Sequence, residues 1–486
     1  KVYFDALRAS SKVILMFKYF IEQELLIFDP SLAYNAQVEK HTTPPKVLID
    51  IILQLFNGRN HHLLKSELLA YVSIVEKTNQ AQLLKVIKGR ITPNNKKWNK
   101  VGKQRNYNSA YGKKRKSEIG EDKVFDFSLG NPSVMPPDVV NETIISLLND
   151  CENVHAYTSA VGDYNVRKSI AKHLNDKYFA NVSCDYIYLT CGAAASLTIT
   201  LNALLNKGEE VIIFSPYFPE YKVFIEKANG IVQTVLCDES NFYPNLNDFE
   251  SKINNNTKAV IINSPNNPTG VIYNEACIKG ICDILKKKEM EYNHPIYLIS
   301  DEPYRELVYS DVTVPFITNY YNNSIICYSF SKSLSIPGER IGYILVSSSC
   351  INKDDVYSAL CGAGRSLGYV CAPSLFQYII PKCLSYTSDL DKYKENRDIL
   401  YNALKEIGFE IIKPEGAFYI FMKVLGNDAF SFSEKAKEFE LLLVPSESFG
   451  FSSYVRIAYC VSKEQIINSL DAFKKLFDCY KWGFYE

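Results

Sequence analysis

Lys332 ends the string Ser329-Phe330-Ser331-Lys332, directly after a β-branched apolar run, and Pro337-Gly338-Glu339-Arg340-Ile341-Gly342 follows one short loop later. An amine so placed can form a Schiff base, and burial near the cationic Arg340 would lower its pKa. Taken singly, a lysine after a strand is far more often a surface lysine than a reactive one. Cys191-Gly192-Ala193-Ala194 sits between a strand-like run and an apolar helical run, so backbone N–H groups at Gly192, Ala193 and Ala194 would face an anion at a helix N-terminus. Small side chains let the anion approach, although glycine after a strand is by itself ordinary turn chemistry. Ser329, Ser331 and Arg340 would add hydroxyl donors and a guanidinium fork to the same anion.

Asp301 follows the apolar run Ile296 to Ser300 and can pair with a protonated pyridine nitrogen, making that ring an electron sink for a carbanion. Tyr304, three residues on, can donate to a phenolic oxygen. The plainer alternative for Asp301-Glu302-Pro303-Tyr304 is a helix N-cap with first-turn acids. The most specific string is Asn263-Ser264-Pro265-Asn266-Asn267-Pro268-Thr269-Gly270, in which two prolines and a glycine fix a turn while Asn267 directs an amide donor at a ring oxygen. A lysine, an anion cradle, an acid and a stacking ring are what an aldehyde cofactor with a phosphate and a pyridine ring requires.

Together these strings resemble the fold-type I, class I/II aminotransferases of the aspartate aminotransferase superfamily. The likeness runs from about Gly102 to the C-terminus and includes Ser128-Leu129-Gly130-Asn131-Pro132, Tyr157 to Arg167 and Val455-Arg456-Ile457-Ala458. It implies pyridoxal 5′-phosphate as cofactor, held on Lys332, which also shuttles the proton between substrate and cofactor carbons. It implies Asp301 on the pyridine nitrogen, Asn267 and Tyr304 on the phenolic oxygen, and Phe218 stacked on the ring, with Tyr217 the second choice. Arg456 would clamp the substrate α-carboxylate, aided by Gly130 and Asn267. Tyr157 would reach the phosphate from a neighbouring subunit, so a homodimer with shared sites is expected. Ala193 and Ala194 depart from the hydroxyl residue common in relatives, which shifts the load to backbone donors. Arg365, in Gly362-Ala363-Gly364-Arg365-Ser366, falls about where dicarboxylate-specific members present a second arginine, and would favour aspartate or glutamate. A surface or interface contact is the alternative for Arg365. Phe418 and Tyr419, after Gly416-Ala417, read as core.

The elements that must position these residues begin near residue 124, where short β-branched runs alternate with helix-like segments: 187–190, 211–214, 260–263, 296–300 and 325–330. This spacing predicts βαβ units around a buried, mainly parallel sheet, with ligands collecting beyond the strand ends. The expected fold is α/β: a large cofactor-binding domain over about 150–370, a smaller α+β domain from about 102–149 plus 371–486, and an extra mostly helical N-terminal segment over 1–95. The segment boundary is placed near 90–105, within a run from Lys85 to Lys116 that carries twelve Lys or Arg and no acid.

Lys plus Arg and Asp plus Glu number 54 each in the 486 residues, so no global field gathers nucleic acid, anionic lipid or acidic substrate. Thirteen scattered cysteines include no C-x-x-C pair, which fits free thiols and neither a disulfide framework nor a metal site. The apolar stretch Val13 to Phe28 is interrupted by Lys18, Glu22 and Glu24 and is too short for a membrane span. A cytoplasmic location is the expectation.

Three functions are weighed. The first is ping-pong transamination between an L-amino acid and a 2-oxo acid. The second is a lyase or synthase that eliminates a β- or γ-substituent through the same carbanion. The third is a ligand-sensing regulator behind a DNA-binding helix-turn-helix. Residues 1–84 carry nine Lys or Arg against eight acids, a balance that argues against the third.

Overall fold

The computed structural model describes residues 111–150, 153–426 and 428–482. The chain separates into Lys1–Tyr107 and Asn108–Glu486, and every described residue belongs to the second unit. The expected helical N-terminal segment, its boundary and most of the basic run lie outside the described residues.

Seven strands form the main sheet: β2 (Ile187–Thr190), β3 (Glu210–Phe214), β4 (Ile231–Val235), β5 (Thr257–Asn263), β6 (Tyr297–Asp301), β7 (Ser324–Ser329) and β8 (Gly342–Val346). Their order is β2-β8-β7-β6-β5-β3-β4. Only β8 runs antiparallel to its neighbours, β2 and β7; the other neighbouring pairs are parallel.

The near-continuous apolar runs follow from burial on both faces. In β3, Val211 and Ile213 join Leu197, Leu201 and Leu204 of helix α1 (Ala193–Leu204) in one apolar cluster. Ile212 and Phe214 point the other way, into a cluster with Ile278, Ile281 and Leu285 of helix α2 (Glu275–Tyr292). Two-residue alternation inside an all-apolar run thus serves two separate cores. The helices at Asp138–Asp150 and Ser374–Cys383, from the sequence stretches expected in the smaller domain, also pack on the main sheet: Val140, Ile379 and Ile380 cluster with Ile187, Leu189 and Ile326.

A smaller antiparallel sheet has the order β11-β12-β9, built from β9 (Tyr419–Lys423), β11 (Val444–Pro445) and β12 (Tyr454–Ala458), and a separate parallel pair joins β1 (Phe125–Asp126) to β10 (Leu441–Leu442). Strands β9 and β12 share a core with the helices at Leu390–Ile407, Ala429–Ala436 and Lys463–Trp482.

The parallel register brings the strand ends level, since Asn263 pairs with Asp301 and Asp301 with Cys327. Gly342, the first residue of antiparallel β8, faces both Ser329 and Thr190. One edge of the sheet therefore collects Thr190, Asn263, Asp301 and Ser329, as ligand sites in α/β sheets require.

Candidate active site

Asp301 closes β6 and is buried, and no helix follows it; residues 303–306 form turns, so the N-cap alternative does not apply. Tyr221 donates its hydroxyl to Oδ2 at 2.5 Å. Oδ1 has no hydrogen-bond partner among the described residues. Burial pushes the carboxyl up to about 7, offset in part by the Tyr221 bond and reinforced by the nearby Glu302. Asn263 ties this corner together: its Nδ2 donates to the Asp301 carbonyl at 2.8 Å and its Oδ1 accepts from the Asn267 N–H at 2.7 Å.

The next residue along, Glu302, is paired with Arg305 through Nε to Oε2 at 2.5 Å and Nη2 to Oε1 at 2.6 Å, and both side chains are buried. The guanidinium lies by the stacked rings of Tyr178 and Phe316. Removing one member of such a pair strands a buried charge. Arg305→Met is therefore expected to destabilise the protein by about 3 kcal/mol, and Glu302→Gln with Arg305→Met by clearly less, read from urea unfolding midpoints.

Lys332 sits in a single helical turn, Phe330–Ser333, just past β7. Its Nζ donates to the Gly130 carbonyl at 2.6 Å and lies 5.2 Å from the Phe418 ring centroid. Burial draws its pKa down to about 8, with the charges of Arg456 and Arg340 adding to the shift and Cys460 opposing it.

Beside it, the Ser329 and Ser331 hydroxyls are 2.7 Å apart and Arg340 Nη1 donates to Ser331 Oγ at 3.2 Å. Arg340 Nη2 donates to the Cys191 carbonyl at 3.2 Å, which sets the guanidinium against the start of α1. Gly192 precedes that helix with φ 86°, and a Cβ there would come within 2.6 Å of Arg340 Nη2. The position needs glycine on both counts. Gly192, Ala193, Ala194, Ser329, Ser331 and Arg340 thus converge on one corner.

On the opposite wall, Arg456 of β12 is buried. Its Nη1 donates to Asn267 Oδ1 at 3.0 Å and its Nη2 to the Ser128 carbonyl at 2.8 Å, while Nε has no partner among the described residues. Its guanidinium carbon lies 4.6 Å from the Tyr419 ring centroid. The Tyr419 hydroxyl meets that of Tyr304 at 2.8 Å. Burial holds the Tyr419 phenol up at about 12 and the Tyr304 phenol well above the ordinary range, so both stay protonated.

Phe218, half-buried, packs edge-on against Tyr221 at 5.6 Å and so approaches the Asp301 corner. Tyr217 is buried instead against Gly450 and donates its N–H to the Phe449 carbonyl. Tyr157 is 89% exposed and Arg365 is exposed on the last turn of the helix at Lys353–Ser366, so neither reaches these residues within one chain. Two groups at the site are not among the sequence candidates, Tyr221 and the buried Cys460, whose Sγ donates to the Leu129 carbonyl at 3.6 Å. The available signal for Tyr221 was its place one turn beyond Ser215-Pro216-Tyr217-Phe218. Tyr419 is buried, as expected of core, and its hydroxyl is also a polar contact of the site.

A half-buried amine, a buried acid and a glycine-led helix N-terminus gather at the carboxyl edge of an α/β sheet, and the class to which this arrangement belongs, a transferase, follows from the family match. The chain belongs to the family described as aminotransferase class I and II, whose model matches residues 122–473. Among curated relatives, the aspartate aminotransferase of Thermotoga maritima is 34% identical over 72% of this chain and 90% of its own length. A (5-formylfuran-3-yl)methyl phosphate transaminase of Methanocaldococcus jannaschii is 30% identical over 74% of this chain and 93% of its own. An amino transferase structure from Eubacterium rectale superposes with TM-score 0.76 at 49% identity, over 77% of this chain and 94% of that one. The chain is an enzyme that transfers amino groups.

Proposed function

We propose that this site carries out transamination with pyridoxal 5′-phosphate, using aspartate or glutamate as amino donor and a 2-oxo acid as acceptor. The observation that carries the reading is that one site holds both the half-buried Lys332 amine and a buried Asp301 oxygen that lacks a partner among the described residues. Neither group is comfortable alone: burial disfavours the charged form of each. An aldehyde for the amine and a ring N–H for the carboxylate relieve both.

When bound, the cofactor supplies that aldehyde and a protonated ring that accepts the electron pair released at the substrate α-carbon. Asp301 holds the ring charge, oriented by Tyr221 and Asn263. Asn267, whose Oδ1 is engaged by Arg456, keeps its amide N–H groups for the phenolic oxygen, and Tyr304 donates there too. Phe218 covers the ring face. Gly192, Ala193 and Ala194 give backbone donors to the phosphate at the start of α1, with Ser329, Ser331 and Arg340 completing the cradle. Arg456 grips the substrate α-carboxylate beside Gly130, with Nε free to join. Lys332, whose neutral form becomes the major one only above about pH 8, takes the α-proton at Nζ and returns it.

Aspartate or glutamate is supported by the name of the Thermotoga relative and by Arg365, a second arginine that a homodimer would present to the neighbouring site. Tyr157, exposed in one chain, fits the same arrangement by reaching the neighbour's phosphate. The large domain then extends beyond about 150–370 to include the helices at Asp138–Asp150 and Ser374–Cys383, with the remainder of 102–149 and 371–486 as the smaller one. The described cysteines are free thiols, in keeping with a cytoplasmic setting. Among the described residues no helix is long and apolar enough to cross a membrane. The family match places transamination ahead of β- or γ-elimination and of a ligand-sensing regulator.

Absorbance spectroscopy tests this directly. The purified protein with cofactor should show a visible band that borohydride abolishes and that L-aspartate or L-glutamate alone converts to the amine form. Release of pyruvate and ammonia from cysteine-type substrates, with no such conversion, would overturn it. Arg365→Ala should lower kcat/KM for dicarboxylate donors by roughly 30-fold, the cost of removing a charge partner, and leave alanine or aromatic donors nearly untouched. Equal losses for all donors would remove Arg365 from substrate selection.

A further inference from the structure

Tyr419 joins three parts of the site that otherwise come from distant segments. It opens β9, and β9 pairs with β12 in a register that sets Arg456 opposite Phe421, so Tyr419, two residues before Phe421 on β9, is the diagonal neighbour of Arg456 across the strand pair. Diagonal neighbours at this spacing lie on one face within reach of an aromatic ring. The Arg456 guanidinium carbon sits 4.6 Å from the Tyr419 centroid and 5.1 Å from that of Phe449. The Tyr419 hydroxyl lies 2.8 Å from the Tyr304 hydroxyl, and the two rings cross edge-on at 83°. A Cβ on Gly130 would meet the Tyr419 hydroxyl at 2.1 Å and its Cζ at 3.0 Å, so the Gly130 backbone that receives Lys332 Nζ is seated directly on this phenol.

The backbone leading into Tyr419 is held in a conformation that an L-residue avoids. Ala417, two residues earlier, has φ 56°. It is fully buried and clamped on both sides: its N–H donates to the Leu307 carbonyl at 2.9 Å, and its carbonyl accepts from the hydroxyls of Tyr309 and Tyr459. Strained, over-determined backbone of this kind persists where the surrounding structure needs a particular direction. Here it places the Phe418 ring against Lys332 and the Tyr419 ring against Arg456.

We propose that Tyr419 is a positioning residue: its ring carries the Arg456 guanidinium while its hydroxyl fixes Tyr304 and the Gly130 backbone, keeping the substrate clamp in register with the cofactor. This rests on the transaminase reading above. The ring and the hydroxyl then have separable effects, one on the substrate carboxylate and one on the cofactor.

Tyr419→Phe keeps the ring and removes the hydroxyl; Tyr419→Leu removes both. Each is compared with the wild-type holoenzyme for the KM and kcat of L-aspartate or L-glutamate, the dissociation constant of pyridoxal phosphate from the apoprotein, and the thermal midpoint. Loss of the cation–π contact should raise KM in Tyr419→Leu roughly tenfold, with a smaller change in kcat. Loss of one hydrogen bond should weaken cofactor binding in Tyr419→Phe by roughly two- to tenfold, with KM little changed. Gly130→Ala should impair the wild type, and Tyr419→Phe should recover part of that loss, because the phenol oxygen is the atom in the way. Values within twofold of wild type in both folded variants, or no recovery in the Gly130→Ala pair, would overturn the proposal. A wild type that binds no pyridoxal phosphate and transaminates nothing would defeat the functional reading itself and this inference with it.

Discussion

Lys332→Ala is expected to lower transamination by on the order of 10⁴-fold or more, equivalent to about 5.5 kcal/mol of barrier. Nucleophile and general base are lost in one substitution, and the reason lies in the surroundings of the amine. Its Nζ is held against the Gly130 carbonyl and the Phe418 ring. Lys332→Arg serves as the control: it restores a cation and adds no nucleophile, so it should remain as inactive. The variant should retain cofactor only reversibly, with no covalent label after borohydride. Burial foremost, then Arg456 and Arg340, bring the amine's pKa to about 8. Covalent uptake of pyridoxal phosphate by the apoprotein should accordingly speed up as pH rises through about 8 and level off above it. Undiminished turnover in Lys332→Ala would end the account of this site.

Asp301→Asn should cost about 10³-fold in kcat, or about 4 kcal/mol, since the amide cannot hold a positive charge on a ring nitrogen. A second, independent readout comes from the apoprotein. The folded-state pKa of Asp301 is raised to about 7, chiefly by burial, above the value near 3.9 of an exposed carboxyl. The folded chain therefore binds this proton more tightly than the unfolded chain does. Its stabilising contribution is complete below about pH 4, declines as pH rises from there, and is gone above about pH 7. The difference across that window is a few kcal/mol, on the order of 4. Asp301→Asn should flatten the dependence and raise the apoprotein's melting midpoint at pH 8. In wild type, loading with cofactor should cancel the loss at high pH, because a cation then faces the carboxylate. A wild-type apoprotein whose midpoint is flat between pH 4 and 7 would contradict the burial of Asp301.

Much of this site was legible from local strings because the chemistry sits at strand ends, where an apolar run stops and polar or small residues begin. Ile187–Thr190 matched its strand to the residue, and the runs read at 211–214, 260–263, 296–300 and 325–330 each overlap an observed strand, with edges displaced by up to three residues. The shift at β6 has a consequence. Asp301 is the last strand residue and not a helix cap, since Asn263 holds its carbonyl and Tyr221 its carboxylate, partners 38 and 80 positions away. No local pattern announces such partners. The same holds for Tyr419, whose apolar neighbours Phe418 and Ile420 made it look like plain core; burial and polar duty coexist in a phenol because only its tip is polar.

The amino-acid sequence by itself determined the residue types, the order of strands and helices, and the strings that mark an amine, an acid and an anion cradle, because these depend on side-chain chemistry and short-range periodicity. Tertiary structure decided which of those groups face one another. The parallel register levels Asn263 with Asp301, the antiparallel β8 brings Gly342 against Ser329, and the smaller sheet carries Arg456 and Tyr419 to a wall also built from Gly130 and Asn267. Pairing across hundreds of residues is set by the packing of several apolar cores, and packing is a property of the whole chain that no window of sequence contains.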